Sequence, residues 1–443
     1  MSDLLQEFAH NFIHNLFKPL LLFFYAGFLI PLLRVKLEFP KQAYQALTIF
    51  LLLGIGWHGG EELASLDPKM YGQAAALMVI GFFTNLVIGF AAYFALRTLV
   101  RVRRVDAATI AGYYGSDSAG TFVTAVGFLG AANIASASFM PVMLAVMEIP
   151  GCIVALYLIS RLRHQGMDAE GNVPGEAAFA EARRREARNR MLTEQAGLEP
   201  EEPELVSVGI DEHEIFMDQS RARSDDMAHI QRAVRRSRFD TTGDANHESS
   251  EVATPENHSG HTKQKHNLKQ LIHEVLLNQG IFLLFAGIAI GFISRLQGEK
   301  VVGSNDRLFI DLFPPLLCIF LLEMGITASR KLRDLKTAGW RLIAFGLIAP
   351  NVFAMFGMCV MFVYSLASGQ PIEQGTYVLF AVLCGAASYI ALPAVQQMAI
   401  PEASPTLPLA SSLGVTFSYN VTIGISLYVL VAKYFVTLGP QLS

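Results

Sequence analysis

AGYYGSDSAGTF, residues 111–122, sets three glycines, two serines and an aspartate in the middle of a long apolar run. A charged residue at the centre of a lipid-facing helix costs about 2.5–3.5 kcal/mol on insertion scales. The glycines loosen a helix further and leave backbone groups without partners. Both costs vanish if the segment is an unwound break lining a wet cavity inside a bundle. A break creates a half-helix whose N-terminus carries free N–H groups and about half a positive charge. Such an end, with serine and threonine hydroxyls beside it, suits a small anion. The facing half-helix offers carbonyls, and with Asp117 these suit a hard cation such as sodium.

The surrounding chain fits that picture. Its 443 residues are 52% hydrophobic and carry a formal charge of −4. Several apolar runs reach the roughly 20 residues that a helix needs to cross a hydrocarbon core. No ten-residue segments of alternating hydropathy occur, which argues against a membrane β-barrel. The N-terminus has no basic region followed by a cleavage site, so no removable signal peptide is expected. Cys152, Cys318, Cys359 and Cys384 all lie in apolar runs without CxxC spacing, as expected of buried thiols. No nucleotide-binding loop, catalytic triad or zinc-hydrolase pattern occurs, so neither an enzyme nor a nucleic-acid partner is expected. The histidines of the polar middle, including HSGH at 258–261, match no defined metal site.

Ten spans are predicted, at about 17–34, 43–57, 73–97, 106–130, 137–160, 271–294, 308–327, 339–367, 376–398 and 406–436. The domain organisation expected is a first five-helix half over 1–160, a charged linker over 161–269 and a second half over 270–443. The linker holds about half of the chain's charges. Residues 175–197 have helical composition, 225–239 allow a second short basic helix, and 241–266 are too polar to bury a core. Its run ARRREARNR is expected as a solvated helix face or a contact with the membrane surface. Basic residues cluster after the first, third and seventh spans, which predicts a cytoplasmic linker and both termini outside.

The two halves also resemble each other. With Gly115 set against Gly385, YYGSDSAGTFVTAV lies over VLCGAASYIALPAV and Ser118 falls on Ser388. GIGWHGGEEL faces MGITASRKL at nearly the same offset, and YAGFLIPLLR faces FAGIAIGFISR at a smaller one. Five spans repeated across a cytoplasmic linker must have opposite topology. The expected fold is therefore an all-α integral membrane protein of two inverted five-helix repeats with crossed, broken helices. In the ninth span Pro393 removes an N–H and bends or ends the helix. Close helix packing is the competing explanation for these small residues. Asn85, Glu148, Glu323 and Asn420 are further polar residues within spans; Glu148 and Asn420 stand out because they follow the breaks.

YYGSDSAGTF, FMPVMLAVMEIP, LLEMGITASRKLRDLKTAGWRLIAFGLIAPN and IPEASPTLPLASSLGVTF together resemble the sodium-dependent bicarbonate transporter family. The resemblance covers about 17–160 and 271–437. It implies sodium-driven bicarbonate import across a bacterial inner membrane, a homotrimer, and a PII-like regulatory protein at the cytoplasmic side. It maps the family's first crossing segment onto Gly115, Ser116, Ser118, Gly120 and Thr121. The second maps onto Gly385 to Pro393, including Ala387, Ser388 and Tyr389. Two departures stand out. The second segment here lacks the aspartate and the serine-rich run of that family, and Asp117 sits where its members carry an uncharged residue. The expected anion site is thus at the half-helix N-termini near Ser118 and Ser388. Sodium is expected at Asp117, Ser118 and Ser388, with Asn420 a further candidate. Transport of another small anion, such as a short carboxylate, and a membrane sensor signalling through the linker are the alternative functions.

Overall fold

The computed structural model describes residues 19–37, 39–65, 71–195, 279–334, 339–389 and 391–442; among them there are helices and no strand. The chain divides into two units, residues 1–183 with 266–443, and residues 184–265. Of the second unit the described part is 184–195, the end of a helix that carries the arginine-rich run (α7, Ala177–Gln195). The possible basic helix at 225–239 and the polar stretch 241–266 lie outside the described residues.

The first half of the larger unit contains α1 (Pro19–Leu32), α2 (Lys41–Ala64), α3 (Tyr71–Ala95), α4 (Arg104–Tyr114), α5 (Ala119–Ala131) and α6 (Met140–His164). The second half contains α8 (Gln279–Gln297), α9 (Glu299–Asp306), α10 (Phe313–Asp334), α11 (Trp340–Ser368), α12 (Gln374–Gly385), α13 (Ala391–Ala399) and α14 (Ile425–Leu442). Two π-helical stretches, Ala410–Phe417 and Asn420–Gly424, lead into α14. By length and composition five helical stretches can cross a membrane: Tyr71–Val100, Met140–His164, Glu299–Leu332, Trp340–Ser368 and Leu407–Leu438. Large apolar side chains such as Phe83 and Phe94 on α3, and Ile348 and Val363 on α11, are exposed. In water that surface would be a liability; in lipid it is the expected outer face. The protein is a multi-pass membrane protein.

The strongest helix contacts fall into two groups, and α10 also packs on residues 410–417. In one, α3, α4 and α6 pack on one another, and so do α11, α12 and α14. In the other, α1 packs on α10 and α2 on α8. Glycines set the distance in this second group. A Cβ at Gly27 would fall on the Leu322 carbonyl, and one at Gly325 on the Phe24 carbonyl. A Cβ at Gly60 would strike the Ile288 carbonyl, and one at Gly291 that of Trp57. Backbones in van der Waals contact are the usual result of small residues at a membrane helix interface.

Helix α2 continues to Ala64, beyond the span end expected near 57. Of its glycines Gly56 and Gly60 face α8, whereas Gly59 faces Pro141 of α6 and Gly54 the Phe313 ring. Residues 299–306, expected as loop, form α9, which stacks at the end of α8.

Candidate functional site

The stretch quoted first is broken. Helix α4 stops at Tyr114, residues 115–118 are not helical, and α5 begins at Ala119. Ser118 sits in extended backbone (φ −135°, ψ 108°) as the N-cap of α5. Its Oγ accepts from the Thr121 N–H at 3.3 Å and from the Thr121 hydroxyl at 2.9 Å. The Phe122 N–H donates to the Ser118 carbonyl at 2.9 Å. Helix geometry leaves the Ala119 and Gly120 N–H groups without an intrahelical acceptor. Gly115 packs against Gly89 of α3 and the Asn85 carbonyl, where a side chain would not fit. Ser116 donates its hydroxyl to the Glu148 carbonyl of α6 at 2.9 Å, which ties the turn to that helix.

A second break lies opposite. Helix α12 ends at Gly385, residues 386–389 are not helical, and α13 starts at Ala391. The Gly385 carbonyl, left over by the end of α12, accepts from Asn420 Nδ2 at 2.9 Å. Asn420 Oδ1 in turn accepts from the Tyr428 hydroxyl at 2.9 Å. Asn420, expected near sodium, thus has its amide committed to holding the second break. Ser388 Oγ accepts from the Leu392 N–H at 3.5 Å, near the start of α13.

The breaks touch. The Ser388 N–H donates to the Tyr113 carbonyl at 2.8 Å, using one of the acceptors that α4 leaves at its end. Tyr389 is 7% exposed, with its ring edge-on to Phe417 at 5.3 Å between centroids. Its hydroxyl lies directly over Gly120, within reach of the Ser118 side chain. Ala387, between them, is buried.

The two broken helices run in opposite directions. At one end Asp106 of α4 accepts two bonds from Arg103 and one from the Ser404 N–H that follows α13, at 2.8 Å. At the other end the Ala137 N–H, beyond α5, donates to Thr376 of α12 at 2.7 Å. Arg163, at the end of α6, adds a bidentate pair with Glu402 at 2.8 Å.

Charge is one-sided at the centre. Asp117 is fully buried and both carboxylate oxygens lack a partner. Glu148 of α6 is its charged neighbour, and the Cys384 thiol of α12 lies close. Two chemistries therefore adjoin: N–H and O–H donors at the start of α5, and unpaired carboxylate oxygens two residues before it. Among the expected residues, Ser118, Gly120 and Tyr389 come together, Ser388 joins them through Tyr113, and Ser116, Thr121 and Gly115 serve as structural supports of the turn. Glu148 was legible only as a polar residue in the span after the break; the Tyr113 carbonyl carries no sequence signal. Among the described residues no three His, Cys, Asp or Glu side chains gather as a transition-metal site requires.

Comparison with curated proteins gives no match. The sequence pattern of a transporter family does match, over residues 19–433, which include both breaks and both groups of helices. The chain accordingly belongs to the Na+-dependent bicarbonate transporter superfamily.

Proposed function

We propose that this chain is a sodium-coupled symporter that imports bicarbonate, held where the two breaks meet. The anion sits against the Ala119 and Gly120 N–H groups and the Tyr389 hydroxyl, with Ser118 and Ser388 at the rim. The cation sits against Asp117. The observation that carries this is the direct contact of the two unwound segments, with free donors on one side and free carboxylate oxygens on the other. A bound cation and a bound anion next to each other stabilise one another electrostatically in a medium of low dielectric, which makes co-transport the natural outcome.

The helix contacts support two inverted five-helix halves, 1–160 and 270–443, and the basic loops support a cytoplasmic linker between them. In the alignment of the halves Gly27 corresponds to Gly287 and Gly56 to Gly325. Gly27 lies against Gly325, and Gly56 against Gly287, so exchanging the halves turns one contact into the other. Movement of the group holding both breaks against the group of α1, α2, α8 and α10 would open the site to each side in turn.

The test is uptake of labelled bicarbonate by proteoliposomes with and without an inward sodium gradient. Gradient-dependent accumulation is expected. Sodium-independent uptake, or inhibition by short carboxylates with no response to bicarbonate, would refute the assignment.

A further inference from the structure

The buried polar groups around the first break do not balance. Asp117 has both carboxylate oxygens unpartnered at zero exposure, and Glu148 is 7% exposed beside it. On α3, Asn85 is also fully buried. Its Nδ2 donates to the Met147 carbonyl at 2.9 Å, which fixes how the amide points and leaves Oδ1 without a partner. Asn85 reaches the same turn from its other side, since its own carbonyl lies against Gly115. One residue further on, Ser116 is bonded to the Glu148 carbonyl. Asn85, Glu148 and Asp117 therefore enclose one turn of chain, contributed by α3, by α6 and by the break itself.

Every orphaned atom in this enclosure is an acceptor. Among the described residues, the buried polar and charged set contains no Lys, Arg or His. The thiols of Cys152 and Cys384 are the other ionisable groups that bear on Asp117, and they supply no positive charge. Leaving a carboxylate buried and unpaired costs several kcal/mol, and a cation taken up from solution would offset that cost. Carboxylate and amide oxygens are ligands for a hard cation.

We propose that Asp117, Glu148 and the Asn85 amide oxygen form the site of the coupling sodium ion, enclosed by α3, the α4–α5 break and α6. This deepens the sodium-coupled transport proposed above and rests on it. It makes Glu148 and Asn85 ligands, and it confines the cation to elements of the first half. The anion keeps the donor side, at the start of α5.

The experiment is binding of radioactive sodium to the purified full-length protein in bicarbonate-free buffer, with thermal melting recorded at zero and saturating sodium. E148Q and D117N are each expected to weaken sodium binding by about tenfold or more, the scale on which site residues tune metal affinity. E148D and D117E should fall between those variants and wild type, and E62Q, near the C-terminal end of α2 and paired there with His58, should bind as wild type. Without sodium, E148Q should melt no lower than wild type, because one of two mutually repelling carboxylates is gone; with sodium, its stabilisation by the ion should be lost. Wild-type sodium affinity in E148Q overturns the assignment, as does displacement of sodium by magnesium or calcium at lower concentration. A protein that carries a different anion would fail the bicarbonate uptake assay while keeping these sodium results, so the two failures are separable.

Discussion

Gly120→Ala probes the contact between the two breaks most directly. A Cβ at Gly120 would occupy the space of the Tyr389 hydroxyl, and would lie 3.0 Å from the ring carbon bearing it and 3.3 Å from Phe320. Tyr389 cannot swing aside freely, because its ring is held edge-on against Phe417 at 5.3 Å. Overpacking of this kind costs about 1–3 kcal/mol, which corresponds to about 5- to 150-fold in the folded-to-unfolded ratio. The strain falls on one atom, so Tyr389→Phe, which deletes that atom, should restore part of the loss. A double-mutant cycle on thermal unfolding should give a coupling of about 1 kcal/mol or more, as found for residues in contact. Bicarbonate uptake should behave differently. Gly120→Ala and Tyr389→Phe each disturb the donor side of the site, so the double variant should regain stability without regaining wild-type uptake. Additive losses of stability, or a Gly120→Ala protein that melts as wild type, would refute the contact.

Further outcomes follow from the supports of the site. Asn420→Leu leaves the Gly385 carbonyl without its donor and should lower stability by about 1–3 kcal/mol, the cost of an orphaned buried group, measured by melting in detergent. Ser118→Ala removes the cap of α5 and should cost about 1 kcal/mol while raising the KM for the anion. Asp106→Ala frees the Ser404 N–H and Arg103; hydrogen exchange should accelerate at 400–406 and not at 374–380. Gly291→Leu drives a side chain into the Trp57 carbonyl and should abolish recovery of monodisperse protein on size-exclusion chromatography.

The first break was legible because a bilayer leaves few uses for an aspartate among glycines at the middle of a span. The second was legible mainly through its likeness to the first, with Pro393 as local support. What the residues did not disclose is who packs on whom. That α1 chooses α10, and α2 chooses α8, depends on which glycine faces meet, and glycines in a span look alike whichever neighbour they admit. The π-helical stretches at Ala410–Phe417 and Asn420–Gly424 were also invisible, since widening a turn by one residue leaves no compositional mark. Yet this region lets Thr416 reach both the Gly346 carbonyl at 2.9 Å and the Tyr114 hydroxyl at 2.6 Å, and turns Asn420 toward Gly385. Glu148 shows the limit from the other side. Its position was plain in the sequence, but only the packing of α6 on the break brings its carboxylate next to Asp117.

The glycine contacts between α1 and α10, and between α2 and α8, constrain how this machine can move. Backbones that meet carbonyl to Cα have no soft layer of side chains between them, so sliding one helix by a residue would drive oxygen into carbon at each crossing. Those seams act as welds. Each pair must travel as one stiff unit, and any rearrangement is forced into the surfaces where bulky, deformable side chains separate a pair from its neighbours.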